Sequence, residues 1–149
     1  MKEIERKFLV KNLNFLNGVN AQKVFIQQAY LIASNDRSLR IRIKNEKAFL
    51  TLKIGTNVLN REEFEYEIPL AEGQELLGFC SQVLTKLRYT LQHQNVVWEI
   101  DVFQNELDGL YMAEVELEHE HQLLELPEWV GEEVTHDPQY LNINLIKRL

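Results

Sequence analysis

The sequence is short of the residues that small proteins use as covalent or metal-based supports. Its single cysteine, Cys80, excludes an internal disulfide and cannot by itself build a metal site. Its three prolines and six glycines are scattered over 149 residues, so no glycine-rich phosphate loop or flexible linker is evident. The hydrophobic fraction of 45% is ordinary for a globular protein, and a chain of this length can bury a core without a disulfide. We therefore expect a single domain over residues 1–149.

Long hydrophobic runs are also missing. No segment approaches the roughly 18 apolar residues that a membrane span requires. The first ten residues carry Glu3 and Glu5 where a secretory signal would be apolar. The net charge of −7 differs from that of most nucleic-acid and membrane-surface binders, which are basic. These features predict a soluble, cytoplasmic protein that binds neither nucleic acid nor a membrane.

Charges of the two signs are segregated along the chain. Residues 36–53 contain six basic and two acidic residues, whereas residues 99–133 contain twelve acidic residues and no basic one. Within both blocks, and elsewhere, charged and apolar residues alternate with a period of two, which is typical of β-strands with unlike faces. Short polar turns favour antiparallel neighbours. About eight strands are predicted, around residues 3–8, 26–32, 39–44, 50–54, 61–68, 86–89, 98–102 and 114–118.

Helical signals are fewer than strand signals. Short helices are predicted at residues 71–81, after Asn12, near Pro127–Val130 and after Asp137. In the last of these, Asp137 is the expected N-cap and Pro138 the first helical residue. Its buried face would consist of Leu141, Leu145 and Ile146.

Alternation alone leaves open which face of each strand lies inside. An antiparallel sheet usually turns its charged face to water. Here, however, the strands are sorted by charge, and arginine is prominent at positions 40, 42, 61 and 88. Guanidinium groups suit forked contacts with phosphate. The charged faces are therefore candidates for a binding surface.

Closing the strands into a barrel with the charged faces inward would gather all these groups around one lumen. The apolar faces would then be covered by the helices or by a partner chain. Like charges in a confined lumen are costly unless they are neutralised, so the basic strands call for a polyanion and the acidic strands for a divalent metal. We expect a mainly β protein of the α+β class. The residues alone leave open whether its charged strand faces meet water or line an eight-stranded antiparallel β-barrel tunnel with a charged lumen, flanked by a few helices including a C-terminal one.

The first strand carries a motif that resembles a known family. Residues 3–7, Glu-Ile-Glu-Arg-Lys, match the Glu-x-Glu-x-Lys signature of the CYTH superfamily, the triphosphate tunnel metalloenzymes. The resemblance covers the whole chain, because further segments match in order. They are Gln28-x-Tyr30, Arg40-Ile41-Arg42, Leu52-Lys53, Arg61-x-Glu63-x-Glu65, Lys86-Leu87-Arg88, Glu99-Ile100-Asp101 and Glu114-Val115-Glu116.

The resemblance implies a tunnel that binds a triphosphate together with Mg²⁺ or Mn²⁺. The implied metal ligands are Glu3, Glu5, Glu63, Glu65, Glu114 and Glu116. The implied substrate-binding residues are Lys7, Arg40, Arg42, Lys53, Arg61, Lys86 and Arg88. The catalytic candidates are Glu5, Lys7, Tyr30 and Lys86. Tyr30 either orients or deprotonates the attacking water, or it hydrogen-bonds to a carboxylate in the lumen.

Membership of a superfamily does not determine the reaction. The leading hypothesis is metal-dependent hydrolysis of inorganic triphosphate to pyrophosphate and phosphate, with nucleoside triphosphates as poorer substrates. One alternative is a class IV-type adenylyl cyclase. Such enzymes typically carry a segment with a His-Phe pair before the first motif, whereas here the motif begins at residue 3. A further alternative is a non-catalytic polyphosphate- or nucleotide-binding module. The partner is in each case a triphosphate-containing small molecule, and exposed apolar strand faces also suggest a homodimer.

Overall fold

The computed structural model describes residues 2–149 and is dominated by nine antiparallel β-strands. They are β1 (Lys2–Val10), β2 (Gln22–Ala33), β3 (Arg37–Lys44), β4 (Lys47–Ile54), β5 (Asn60–Ile68), β6 (Leu84–His93), β7 (Val96–Phe103), β8 (Tyr111–Glu116) and β9 (Val130–Glu133). The α-helices are α1 (Leu70–Gly78) and α2 (Asn142–Leu145). Single turns of 3₁₀ helix lie at Asn14–Gly18, Asn105–Leu107, Pro138–Tyr140 and Ile146–Arg148. Within these residues, no helix has both the length and the apolar character needed to cross a membrane.

Strands β1 to β8 form a closed barrel. Their order in the sheet is β5-β4-β3-β2-β6-β7-β8-β1, and pairing of β1 with β5 closes the circle. In that last pair Glu3 lies opposite Arg61. Tight hairpins join β2 to β3, β3 to β4 and β6 to β7. The β6–β7 turn passes through Gln94 and Asn95, whose positive φ angles of 52° and 63° are those of a type I′ turn. The predicted eight-stranded antiparallel barrel is confirmed.

The ninth strand was not predicted from the sequence. A short helix near Pro127–Val130 was predicted instead, and this prediction was wrong. The amide of Val130 donates to the carbonyl of Pro127 at 3.1 Å and closes a turn, after which β9 pairs with the end of β1. The ring of Trp129 stacks on Phe15 at 4.3 Å and meets Trp98 edge-on at 5.4 Å, so tertiary packing holds the chain in an extended path here.

The C-terminal segment agrees with the prediction at its start but not along its length. The carboxylate of Asp137 accepts a hydrogen bond from the amide of Gln139 at 3.0 Å, and Pro138 begins the first helical turn, as expected. At Leu141, however, the backbone is extended, with ψ of 135°, and the segment continues as separate short helices. Leu145 and Ile146 are buried as predicted, whereas Leu141 lines the central cavity.

The hydrophobic core lies outside the barrel, between its apolar outer surface and the elements that cover it. One cluster, around Ile41, Leu84 and Phe103, is covered by α1 and the C-terminal helices. A second cluster, around Phe8 and Trp98, is covered by the segment before β2 and the loop before β9. The charged faces of the strands therefore point inward, as the barrel hypothesis requires.

The elements that cover the barrel pack closely against it at one place and leave its surface exposed at another. Helix α1 approaches β4 so closely that a Cβ atom at Gly73 would lie 2.3 Å from the Cβ of Ala48. On the outer surface of β5, by contrast, the side chains of Phe64 and Tyr66 are 39% and 62% exposed. The predicted homodimer is not tested by these exposures and stays a prediction.

Candidate active site

The barrel encloses a polar cavity of about 290 Å³. Every site residue predicted from the sequence lines it, with the exception of Lys86. The predicted residues on its wall are Glu3, Glu5, Lys7, Tyr30, Arg40, Arg42, Lys53, Arg61, Glu63, Glu65, Arg88, Glu114 and Glu116. The lining also includes residues from the β2–β3 turn, β3, the β4–β5 loop, the start of α2 and Glu99 on β7.

Strand register explains why residues so distant in sequence meet in this cavity. Antiparallel pairing of β1 with β8 places Glu5 opposite Glu116 and Lys7 opposite Glu114. Pairing of β4 with β5 places Lys53 opposite Glu63. Because side chains alternate across a strand, each match brings two charged groups to the same side of the barrel wall.

At one part of the wall, carboxylates surround a lysine. The Nζ of Lys53 lies 2.8 Å from Oε1 of Glu3, 3.6 Å from Oε2 of Glu63 and 3.9 Å from Oε1 of Glu5. The Nη2 of Arg61 lies 4.0 Å from Glu3 and 3.8 Å from Glu5. Burial, followed by the hydrogen bond with Glu63, raises the pKa of Glu3. These carboxylates are therefore crowded together and are held by cations of the chain itself.

A second group connects the acidic and basic sides of the lumen. The Nζ of Lys7 lies 3.8 Å from Glu5 and 3.7 Å from Glu114, and Nη2 of Arg88 lies 3.5 Å from Glu114. Burial alone would raise the pKa of Glu114, but Lys7 and Arg88 outweigh it and lower that pKa. Burial would lower the pKa of Lys7, but Glu114 and Glu5 raise it. Glu114 is thus strongly paired, in contrast to Glu116.

The basic side of the lumen has more positive charge than its protein partners neutralise. Both contacts that Arg42 makes are with a neutral group: its Nε and Nη2 donate to Oε1 of Gln28 at 2.9 and 2.7 Å. Arg42 is 8% exposed, and no ion pair to it occurs among residues 2–149. Burial, then the neighbouring Arg40 and Arg88, lowers the pKa of Arg42 to about 9. A buried guanidinium without a counterion calls for an anion from outside.

Among the described residues, Arg40 likewise has fewer hydrogen-bond acceptors around it than its guanidinium has donors. Its Nη2 donates to Oγ1 of Thr51 at 3.1 Å and lies 3.7 Å from Oε2 of Glu65. Its buried Nε finds no hydrogen-bond acceptor among the residues that the structure describes. Thr51 in turn donates to Glu65 at 2.8 Å. This places Glu65 beside Arg40 and Thr51.

Lys86 is the predicted site residue that lies away from the cavity wall. It is fully buried, and its Nζ donates to Oδ2 of Asp101 at 2.7 Å. Arg88 donates to the same carboxylate from Nε at 2.7 Å and from Nη2 at 2.8 Å. Burial lowers the pKa of Lys86 to about 7, although Asp101 opposes this effect. Lys86 therefore forms part of the support beneath the arginines, and a direct contact with substrate stays a prediction.

Asp101, like Gln28, is a supporting residue that was not predicted from the sequence as part of the site, and Glu99 is an unpredicted residue of the cavity wall. Burial would raise the pKa of Asp101, but Arg88 and Lys86 lower it, so the carboxylate stays ionised beneath the cavity. It fixes the guanidinium of Arg88, which lines the lumen. The position of Asp101 within the ordered motifs was visible in the sequence, but its pairing depends on the β6–β7 register, where it lies opposite Arg88.

Tyr30 lies on the cavity wall, half-buried, and packs against the hydrophobic cluster around Ile41. In the β2–β3 ladder it lies opposite Arg40. The tyrosine is thus held beside the basic side of the lumen, within the space that a substrate would enter.

The donor set fits a hard divalent cation. Glu3, Glu5 and Glu116 offer oxygen ligands, the kind that Mg²⁺ and Mn²⁺ take. Burial and then the nearby carboxylates of Glu3 and Glu5 raise the pKa of Glu116, which records mutual repulsion that a cation would relieve. Across residues 2–149, no group of three or more His, Cys, Asp or Glu is already gathered for a metal ion. A cation would thus need rearranged side chains and further oxygens, which for Mg²⁺ commonly come from substrate phosphates.

The fold and the lumen together define a class: closed antiparallel tunnels with segregated positive and negative walls. The chain belongs to the CYTH domain family, which it matches over residues 1–149. It is similar to an inorganic triphosphatase of Acetivibrio thermocellus, with 42% identity over 148 residues, covering 98% of this chain and 94% of the relative. It is also similar to an inorganic triphosphatase of Nitrosomonas europaea, with 36% identity over 147 residues and 95% coverage of both chains.

A solved structure supports the same relationship. The crystal structure of the inorganic triphosphatase NE1496 superposes with a TM-score of 0.71 and 32% sequence identity, covering 97% of this chain and 93% of that one. The resemblance to the CYTH superfamily drawn from the ordered motifs is therefore confirmed.

Proposed function

We propose that this protein is an enzyme that hydrolyses inorganic triphosphate to pyrophosphate and phosphate, with nucleoside triphosphates as poorer substrates. The observation that carries the proposal is the buried Arg42, which lines the cavity and whose guanidinium, among residues 2–149, hydrogen-bonds only to the neutral Gln28. The two curated relatives, which cover nearly the whole chain, are both named inorganic triphosphatases.

The basic residues bind and orient the substrate. Arg40, Arg42 and Arg88 each turn a guanidinium towards the lumen, and forked donors match the oxygens of successive phosphates. Fixed positive charges also stabilise the negative charge that moves onto the leaving pyrophosphate. Because Asp101 and Gln28 hold two of these guanidiniums in place, little reorganisation is needed when the phosphate charge shifts.

The acidic residues would hold a divalent cation, Mg²⁺ or Mn²⁺. Glu3, Glu5 and Glu116 are the favoured ligands, because their carboxylates repel one another, and Glu63, Glu65 and Glu114 are further candidates. A bound cation would neutralise phosphate charge and lower the pKa of a water molecule. We assign Tyr30 the orientation of the attacking water, since it lies on the cavity wall. Lys86 supports Asp101, and its direct contact with substrate stays a prediction.

Product analysis tests this proposal against its alternatives. The protein is incubated with tripolyphosphate or ATP, with and without Mg²⁺, and the products are separated. Pyrophosphate and orthophosphate from tripolyphosphate, formed only with Mg²⁺, are the expected result. Cyclic AMP and pyrophosphate from ATP would instead identify an adenylyl cyclase. Binding without turnover would identify a polyphosphate-binding module.

A matched pair of variants links the activity to the lumen. Glu5→Gln removes a carboxylate of the proposed metal site and should nearly abolish hydrolysis while the fold is retained. Glu106→Gln changes an exposed glutamate outside the cavity and should leave hydrolysis unchanged. Full activity of Glu5→Gln, or of the unaltered protein in excess EDTA, would refute the metal assignment. The cytoplasmic location stays a prediction.

A further inference from the structure

The ammonium group of Lys53 lies among the carboxylates that the proposed function gives to a metal ion. Its Nζ is within 4 Å of carboxylate oxygens of Glu3, Glu5 and Glu63. Glu3 and Glu5 lie on β1 and Glu63 lies on β5, and these two strands flank the same part of the wall. The side chains of Lys53 and Glu3 are each 14% exposed, so water screens their interaction only partly. This arrangement is a lysine surrounded by oxygen donors of opposite charge.

Lys53 is better suited than its neighbour Arg61 to occupy the place of a cation. Arg61 comes no closer than 3.8 Å to any of these carboxylates, whereas Lys53 reaches 2.8 Å from Glu3. An ammonium is a compact point charge with three donors, and a guanidinium spreads its charge over a plane. Lys53 therefore provides the closest counter-charge to Glu3 among the described residues.

A divalent cation and this ammonium cannot both hold the same carboxylate oxygens at close range. Two positive groups that share a carboxylate repel each other, and the carboxylates have to turn towards one of them. In the structure Lys53 and Arg61 already lie among these carboxylates.

We propose that Lys53 is an internal competitor for the metal site: it neutralises Glu3, Glu5 and Glu63 in the empty tunnel, and a divalent cation has to displace its ammonium. The inference rests on the proposed function and deepens it by giving the tunnel a means of coupling its two ligands. The displaced ammonium remains in the lumen, where the phosphate oxygens of a triphosphate offer it new partners. Metal alone leaves Lys53 without a counter-charge, and triphosphate alone leaves Lys53 held by carboxylates. Each ligand therefore favours binding of the other, and this coupling is reciprocal.

The test measures Mn²⁺ binding without triphosphate, by calorimetry and by the electron paramagnetic resonance signal of free Mn²⁺. Lys53→Gln removes the competing charge, and Lys47→Gln is the matched control, because Lys47 is an exposed lysine at the other end of the same strand. Since a charge-assisted contact is worth about ten- to a hundredfold in binding, we expect Lys53→Gln to bind Mn²⁺ at least about tenfold more tightly than the unaltered protein. Lys47→Gln should stay within about twofold of it.

A second measurement needs no variant and so does not depend on how Lys53→Gln folds. Specific labelling of lysine lets the Nζ resonance of Lys53 be followed in the unaltered protein while Mg²⁺ is added. The expected result is a shift of that resonance that saturates together with Mg²⁺ binding. A Lys53 signal that stays in place while Mg²⁺ binds would overturn the inference, as would equal Mn²⁺ affinities of Lys53→Gln and the unaltered protein.

These outcomes separate the inference from the function on which it rests. If Mn²⁺ binds the unaltered protein and both variants equally, the competition is refuted but the metal-dependent function stands. If Mn²⁺ binds none of the three proteins, with or without a non-hydrolysable imido analogue of triphosphate, the metal assignment and the competition both fall. If only Lys53→Gln shows a marked gain, the competition is supported.

Discussion

Replacing Asp101 with asparagine should destabilise the protein strongly, although the two side chains have nearly the same shape. Asp101 is 1% exposed and accepts three charge-assisted hydrogen bonds, one from Lys86 and two from Arg88. Removing one partner of a buried ionic group costs about 3–5 kcal/mol, because the remaining charges stay buried without a counterion. For a domain of this size that loss lowers the melting temperature by on the order of 10 °C.

The assay is thermal and urea denaturation of the metal-free protein at pH 6, below the pKa of about 7 that Lys86 has in the folded protein, followed by the steady-state kinetics of triphosphate hydrolysis. Asp108→Asn is the matched control, since Asp108 is exposed and lies in the turn after the same strand. We expect that control to stay within about 0.5 kcal/mol of the unaltered protein. The Michaelis constant of Asp101→Asn should also rise, because Arg88 loses the group that orients it in the lumen.

A double variant tests whether the loss of stability arises from buried cations that lack a counterion. If the loss arises from stranded cations, removing one of them should recover part of it, so Asp101→Asn combined with Lys86→Met should be more stable than the two single effects predict by addition. A loss below about 1 kcal/mol in Asp101→Asn, or strict additivity in the double variant, would refute the view that this carboxylate supports the basic side of the lumen.

Four further predictions follow from other parts of the structure. Arg42→Ala should raise the Michaelis constant for triphosphate about ten- to a hundredfold, and unchanged kinetics would mean that this side chain does not contact substrate. Lys86 has an ordinary pKa of 10.5, lowered to about 7 by burial. Between these two values Lys86 is protonated in the unfolded chain but not in the folded one. Urea denaturation should therefore show that the free energy of unfolding, relative to that of Lys86→Met, rises from pH 7 to pH 10 by at most about 1.4 kcal/mol per pH unit. A fall of this relative free energy over the same range would contradict the prediction. Gly73→Val should lower the melting temperature, because its side chain would collide with Ala48, and an unchanged value would mean that α1 can shift. Mg²⁺ together with a non-hydrolysable triphosphate should raise the melting temperature more than the sum of either alone, by several degrees at about a hundred times the dissociation constant; a merely additive rise would argue against a shared tunnel.

Much of the fold could be predicted from the sequence because the relevant signal is local. The alternation of charged and apolar residues is a property of each strand by itself, and it located all eight strands of the barrel. Sorting of the charges by strand then favoured a charged lumen. The N-cap at Asp137 was equally local, since it depends only on the residues that directly follow it. Where local propensity and tertiary packing disagree, the sequence signal was misleading: it predicted a helix near Trp129 that the structure does not contain, and it did not predict the break at Leu141 in the C-terminal helical segment.

Which residues belong to the site could also largely be predicted from the sequence, but which of these residues pair with one another could not. Alternation and the ordered motifs identified most of the charged residues that line the cavity, although not Arg37, Lys44 and Glu99. Only closure of the barrel decides which charge neutralises which, because partners such as Lys53 and Glu3 come from strands that are distant along the chain. The same closure places Lys86 and Asp101 beneath the wall rather than on it. How deeply a charged side chain is buried, and which opposite charge lies next to it, determine whether it contacts substrate, metal or another side chain. Both depend on the closure of all eight strands.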